Sequence, residues 1–396
     1  MGHISDRWYV GKGQARKPSA RHGKGLRWQV WYSVDGREKY GGSFKVKAVA
    51  ERTLTELEGR VLRGAWVDPT NTTTVAEWMR THAQVQSHSP RTATRLDTQI
   101  RNHIEPTTLG GRRLSKLRPS EAQAWVSDRA KVLAPSTLAR LVSAVRRALR
   151  AARADNLMVG DPFENVVLPS VVAERIVPLT SEQVAALAEL IGPRYRALVI
   201  AQAGLGLRIG EVLALRVQDI DWLRRTVRVH YQIDQDTSQL VKTKTPRSRR
   251  TLPLPDVVAA ELSAHIGRCP PGERAGWEGL IFHTRVGTPL LRQDYRTRAF
   301  TGAVRRAHAA DESFPLATTP HALRHHYVSV LLTAGESVVA VAELLGHENA
   351  TLVMTTYGHL MPGREEHARR AINAAFGSIA DRPDDSVTTP PRPERR

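Results

Sequence analysis

The sequence predicts a mainly α, multidomain chain with small β elements: a small β-sheet-plus-helix N-terminal module, a helical domain, and a mostly helical domain with a small β-sheet. Three observations predict it. Near the start, Asp35-Gly36 sits between two runs rich in aromatic and β-branched residues, the signature of a hairpin. After residue 72, apolar residues recur at helical spacing over long stretches. A proline-bearing stretch from Asp161 to Pro178 separates two of these, and proline blocks helix continuation while biasing the residue before it to extended geometry.

Residues 1–69 open with Arg7, Lys12, Arg16, Lys17, Arg21, Lys24 and Arg27 and no acidic residue between them. The hairpin follows, with strands over 27–34 and 37–44, and then a helix from Lys47 to about Arg63 with Val49, Leu54, Leu57, Val61 and Leu62 approximating an apolar stripe. A charged adaptor surface would account for the basic residues alone. Their interleaving with Trp28, Trp31 and Tyr32 on a ribbon favours contact with nucleic acid, and Arg27, Trp28, Arg37 and Lys39 are the candidates to reach a groove.

Asn71-Thr72-Thr73-Thr74 serves as linker and cap for the second domain, residues 72–170, which is helical with breaks at Ser89-Pro90, Gly110-Gly111 and Ala134-Pro135-Ser136. Its helix from Ser136 to Arg153 carries Leu138, Leu141, Val142, Val145 and Leu149 on one face, and Arg140, Arg146, Arg147, Arg150 and Arg153 largely elsewhere. That arginine set is either a solvated face or a contact with a DNA backbone, for which Arg140, Arg146 and Arg147 are the candidates. The third domain, residues 179–375, begins where Thr180 or Ser181 caps a helix. It is mostly helical, with strand-like stretches at Thr226–Ile233 and, after a polar turn, Thr251–Leu254. Residues 380–396 shift to Pro, Asp, Thr and Arg, the composition of a disordered tail.

With 396 residues, 41% hydrophobic, the chain suits several folded domains rather than a disordered polymer. A formal charge of +19 draws polyanions and makes nucleic acid the leading partner. The single cysteine, Cys269, excludes an internal disulfide framework and a cysteine-based zinc site. No apolar run approaches the ~18 residues of a spanning helix, and no secretory core is evident. The expected setting is cytoplasmic, or nucleoid-associated in a bacterial host, with no membrane partner.

The chemistry-bearing residues cluster in three motifs. These are Gly204-Leu205-Gly206-Leu207-Arg208-Ile209-Gly210-Glu211, then His321-Ala322-Leu323-Arg324-His325, then the stretch from Gly346-His347 to Tyr357-Gly358-His359. A tyrosine hydroxyl, with a pKa near ~10, is a poor nucleophile at neutral pH. Guanidiniums, a lysine and histidines around one phosphodiester would supply what it lacks, by neutralising phosphate charge and handling protons. Taken singly, an Arg-Glu pair three apart is a commonplace ion pair and a lone histidine is usually a core or surface residue. Their order along one chain decides the matter.

In that order and context, residues 179 to about 375 resemble the catalytic domain of the tyrosine recombinases, the phage integrase family. Arg208 matches the first catalytic arginine, His321 and Arg324 the His-x-x-Arg box, His347 the second histidine position and Tyr357 the nucleophile. Lys244, by its distance to Pro253, matches the hairpin lysine; Lys242 takes its place if the turn is one residue different. Ala322 departs from the acidic residue many relatives carry there. Residues 72–170 resemble the helical core-site DNA-binding domain, and residues 1–69 the arm-type DNA-binding module of larger integrases. The resemblance implies that Tyr357 attacks a phosphodiester held by Arg208 and Arg324 and becomes a 3′-phosphotyrosyl ester. Lys244 protonates the departing 5′ oxygen, with His321 and His347 assisting. Because the ester keeps the bond energy, neither ATP, nor another cofactor, nor a metal is required. The implied partners are double-stranded DNA with core and arm sites, three further copies in a homotetramer on DNA, an accessory DNA-bending protein and a directionality factor. A type IB topoisomerase shares the nucleophile and the arginines but leaves the N-terminal module without a role. A noncatalytic architectural DNA-binding protein accounts for the charge but not for the six-residue set.

Overall fold

The computed structural model describes residues 2–11, 15–34, 36–63, 66–68, 71–87, 89–170, 175–243, 245–347 and 349–360, and, beyond them, 369, 370, 372, 373, 375 and 376. The expected disordered tail, 380–396, lies outside the described residues, as does Lys244. The chain divides into two units, Met1–Ala173 and Glu174–Arg396.

The first unit begins with β1 (His3–Asp6), β2 (Tyr9–Val10), β3 (Lys17–Pro18), β4 (Trp28–Val34) and β5 (Arg37–Phe44), followed by α1 (Lys47–Leu62). The hairpin β4-β5 gains a third antiparallel strand, giving the order β1-β4-β5, and β2 pairs with β3 separately. The register of β4 on β5 slips between Val30 and Trp31, opposite the Gly41-Gly42 pair. A Cβ at Gly41 would lie 2.8 Å from Leu57 Cδ1 and from Val30 Cγ1, so the missing side chain is what lets α1 lie on the sheet. The acidic residue just before the basic run is put to use: Asp6 accepts from Arg16 and Arg27.

Helices α2 (Val75–Val85), α3 (Pro90–His103), α4 (Pro119–Arg129) and α5 (Pro135–Ala154) complete this unit. Thr74 and Glu77 form a reciprocal capping box that starts α2, and Pro stands at the first turn of α3, α4 and α5, where its missing N–H costs nothing. The apolar face of α5, Leu138, Leu141, Val142, Val145 and Leu149, is buried with Val75, Met79, Ile100, Trp125 and Phe163. The Nε and Nη2 of Arg146 donate to the carbonyl of Phe163 at 3.1 and 2.7 Å, so the guanidinium ties α5 to the chain beyond it.

The second unit holds α6 (Ser181–Leu190), α7 (Pro193–Leu205), α8 (Ile209–Val212), β6 (Ile220–Asp221), β7 (Thr226–Val229), β8 (Tyr231–Ile233), β9 (Leu240–Lys242), β10 (Arg250–Pro253) and α9 (Asp256–Arg268). It continues with α10 (Arg292–Asp294), a π-helical turn Tyr295–Phe300, α11 (Thr301–Ala310), α12 (His321–Thr333), α13 (Val338–Leu345) and α14 (Thr351–Tyr357). Thr180 caps α6 through the backbone N–H of Gln183. The single strand expected over Thr226–Ile233 is two: β7 joins a sheet ordered β10-β7-β6, and β8 pairs with β9. The break falls at His230, whose carbonyl accepts from Thr243 N and whose Nε2 lies 3.2 Å from Asp219 Oδ1, an anchor that a strand pattern does not reveal.

Candidate active site

The site is built around a turn that only glycine permits. Helix α7 ends at Gly206, which has φ +62°, and a Cβ there would lie 2.3 Å from the ring of Tyr327. Leu207 then enters the core and Arg208 becomes the residue preceding α8. Glu211, 4% exposed, takes the Arg208 backbone N–H on Oε2 at 3.0 Å and its Nη1 on Oε1 at 2.9 Å. The same carboxylate receives Arg250 from β10, Nη2 to Oε2 at 3.0 Å. Burial raises the Glu211 pKa, but Arg250 first, then Arg208 and Arg324, outweigh it and hold the carboxyl below the ordinary range. Arg208 is thereby oriented by a fixed carboxylate while staying half-exposed.

Arg324, the fourth residue of α12, is 2% exposed. Its Nη1 donates to Gly206 O at 2.6 Å, and its Nη2 to Leu345 O at 2.8 Å and to His347 Nε2 at 2.9 Å. Burial, together with Arg208, lowers its pKa to about 9, which leaves it cationic at neutral pH. Because a guanidinium only donates, His347 Nε2 accepts and the ring proton sits on Nδ1. Among the described residues that buried Nδ1 has no hydrogen-bond partner, which leaves it a donor open to an acceptor. Burial, then Arg324, Arg208 and Arg250, push the His347 pKa down to about 4, so the imidazole is neutral at pH 7. His347 reaches this position through Gly346, whose φ of +66° ends α13 in the left-handed region.

Tyr357 closes α14 at 5% exposure. Burial pushes its pKa up to about 12 against the pull of Arg324, so the phenol is a weaker acid here than in water. Its hydroxyl makes a short hydrogen bond with Nδ1 of His325, a residue the sequence motif contains but spacing did not single out as functional. His321 opens α12, exposed, with its ring edge-on to His325 at 4.6 Å, and its pKa is lowered by desolvation and by Arg324 and Arg208. A cleft of about 430 Å³ is lined by Arg208, Glu211, Thr243, Thr245, Ser248 and His347. Thr243 and Thr245 flank position 244, which lies outside the described residues; Lys242, exposed, ends β9 opposite Tyr231.

The DNA-contact candidates divide. Arg27 is engaged by Asp6 and stacks over Trp28 at 4.6 Å, and Lys39 pairs with Asp68 at 2.9 Å, so both charges are matched within the protein. Arg37, Arg140 and Arg147 are exposed, Arg140 with its Nε donating to Ser136 O.

Residues 173–364 match the phage integrase family. A XerC-like tyrosine recombinase of Caldanaerobacter subterraneus subsp. tengcongensis is 26% identical over 373 residues, 86% of this chain and 92% of the relative. An integrase of Streptomyces ambofaciens is 27% identical over 340 residues, covering 80% of this chain and 84% of the relative. Among solved structures, the Tn1549 transposon integrase in complex with a circular intermediate DNA shares the fold at a TM-score of 0.68 and 22% identity, over 76% of this chain and 99% of that one. Residues 173–364, which contain all of Arg208, His321, Arg324, His347 and Tyr357, belong to the phage integrase family of tyrosine recombinases, and the relatives support a site-specific recombinase of a phage or mobile element.

Proposed function

We propose that Tyr357 cleaves a DNA strand by attacking a phosphodiester seated against Arg208, Arg324 and His347, forming a 3′-phosphotyrosyl ester that a 5′ hydroxyl of a second strand later resolves. The observation that carries this reading is the shared buried network: Glu211 and Arg250 orient Arg208, while the Gly206 and Leu345 carbonyls and His347 orient Arg324, beside Tyr357. Such pre-set donors stabilise charge developing on the phosphoryl oxygens without reorganising during reaction. In this scheme Arg208 and the remaining N–H groups of Arg324 bind nonbridging oxygens, His347 donates from Nδ1, and Lys244, between the cleft-lining Thr243 and Thr245, protonates the 5′ oxygen. Residues 72–170 grip the core site and residues 1–69 bind arm sites, with four copies assembled on DNA and a bending protein and a directionality factor assisting. The Tn1549 transposon integrase, which shares the fold, was solved in complex with a circular intermediate DNA, and this supports DNA as the substrate class.

The test uses a plasmid bearing one or two matched core sites, without ATP. A recombinase yields recombinant product only with two sites. Relaxation of supercoils on a single-site or site-free plasmid at the same rate favours the topoisomerase reading, and binding with no cleavage of any substrate favours an architectural protein.

A further inference from the structure

We propose that His325 is the base that takes the phenolic proton from Tyr357 during attack, an assignment that rests on Tyr357 being the nucleophile. Helix α12 puts His325 directly after the buried Arg324 and one turn beyond His321, and its Nδ1 is the hydrogen-bond partner of the Tyr357 hydroxyl among the described residues. The two rings stand 5.6 Å apart at 53°, and His321 closes the other side of His325 edge-on. The other histidines are poorly placed for this task. His347 has its Nε2 lone pair committed to Arg324 and its proton on Nδ1. His321 lies at the exposed start of α12 and meets His325 rather than the phenol.

In this proposal Tyr357 donates to Nδ1, which places the proton of the neutral His325 on Nε2 and leaves a lone pair facing the phenol. The titratable and charged groups facing it are His321 and Arg324 on its own helix and Tyr357 from α14. Burial, then His321 and Arg324, bring its pKa down to about 4, which keeps it neutral and able to accept in the free protein. A bound phosphodiester anion offsets the positive field of Arg324, so the base strengthens when its substrate is in place. During attack the Tyr357 O–H bond breaks and an N–H bond forms on His325. The Oη–P bond forms as P–O5′ breaks, and the leaving oxygen takes its proton from a separate acid. In resealing a 5′ hydroxyl attacks phosphorus, and the departing Tyr357 oxygen recovers the proton from His325.

The alternative is that His325 only holds the phenol in place. A duplex with a bridging 5′ phosphorothiolate separates the two, because its leaving group needs no acid and the observed rate reports nucleophile activation. Full-length wild type, His325→Asn, His325→Gln and His325→Ala are compared in single-turnover adduct formation, with Tyr357→Phe as the blank. Asn keeps a hydrogen-bond acceptor near the Nδ1 position but cannot take up a proton. Under the proposal His325→Asn cleaves about 10²–10³-fold more slowly at pH 7, no better than His325→Ala, and gains about tenfold per pH unit toward pH 9 as tyrosinate forms unaided. Cleavage by His325→Asn within about threefold of wild type overturns it and leaves a holding role. Noncovalent retention of the duplex and the melting curve must match wild type for the variant that is read, and His325→Gln is read in place of Asn if they do not. An absence of adduct with wild type overturns the nucleophile assignment itself.

Discussion

Arg324 gives three of its five N–H groups to protein, to Gly206 O, Leu345 O and His347 Nε2, which leaves two uncommitted among the described residues. Arg208 is the opposite case: one nitrogen rests on Glu211, and the rest of the half-exposed guanidinium has no side-chain hydrogen bond among the described residues. The two arginines therefore respond differently to the same substitution. Arg208→Lys should keep DNA affinity and the melting temperature but lose about a hundredfold in cleavage, because charge survives and the fork geometry does not. Arg324→Lys should lose cleavage and stability together, since an ammonium cannot bridge three acceptors on two sides of the site. Near-normal single-turnover cleavage by Arg208→Lys would remove it from the clamp. A pH effect follows from the buried imidazoles. His325 and His347 have folded pKa values of about 4, below the ordinary histidine value. The unfolded chain thus takes up protons first as the pH falls, and stability present above about pH 6.5 is lost toward pH 4. The melting temperature should drop over that window, and less so in His325→Asn; an unchanged difference between the two proteins across the window would contradict the assignment. At this scale the sequence made the Arg208–Glu211 pair legible through its spacing. It did not reveal that Arg250 shares Glu211, nor that His325 meets Tyr357, because both contacts join elements whose juxtaposition depends on tertiary packing.

Within the second unit, one strand end links two parts of the candidate site. From β10, Arg250 donates to Glu211 and, through Nε, to Leu344 O at 2.6 Å, so a single side chain ties the carboxylate behind Arg208 to the end of the helix before His347. Its side chain is 7% exposed and that of Glu211 2%. Removing one partner of so buried a pair costs ~3–5 kcal/mol, and Arg250→Ala should show that loss in denaturant unfolding along with a strong cleavage defect. A loss under 1 kcal/mol would mean that Glu211 is not held as described. Gly346 is the companion test. Its φ of +66° disfavours any Cβ by about 1–2 kcal/mol, and one placed there would lie 3.0 Å from the Arg247 carbonyl oxygen. Gly346→Ala should therefore destabilise the unit and displace His347, lowering cleavage more than DNA binding. Element boundaries were largely legible where caps and prolines mark them, as at Thr74, Pro90, Pro135 and Thr180. Strand β1 was not: four residues, His3–Asp6, show too short a pattern, and their pairing with β4 is nonlocal. The division of one expected strand at His230 was hidden for the same reason.

At the scale of the whole molecule, the basic residues behind the charge of +19 are spread along the chain. In the N-terminal module Arg27 and Lys39 are matched by Asp6 and Asp68, which shifts the expected groove contacts toward exposed positions such as Arg37. If residues 1–69 read arm sites, deleting them should abolish binding to arm DNA and integration of an arm-bearing substrate, with cleavage of an isolated core site retained. Equal affinity of full-length and truncated chains for arm-bearing DNA at one salt concentration would reassign the module, because phosphate contacts are salt-sensitive. All of this depends on one covalent bond, and its position is the most direct measurement. Wild-type protein is trapped on a nicked core-site duplex, digested with trypsin, and the nucleotide-bearing peptide is fragmented in a mass spectrometer, because Tyr327 and Tyr357 share the tryptic peptide 325–364. The buried arginine network predicts a 3′-phosphonucleotide on Tyr357 and none in Tyr357→Phe; a nucleotide on Tyr327, Tyr231 or Tyr295, or an adduct that survives Tyr357→Phe, would contradict it.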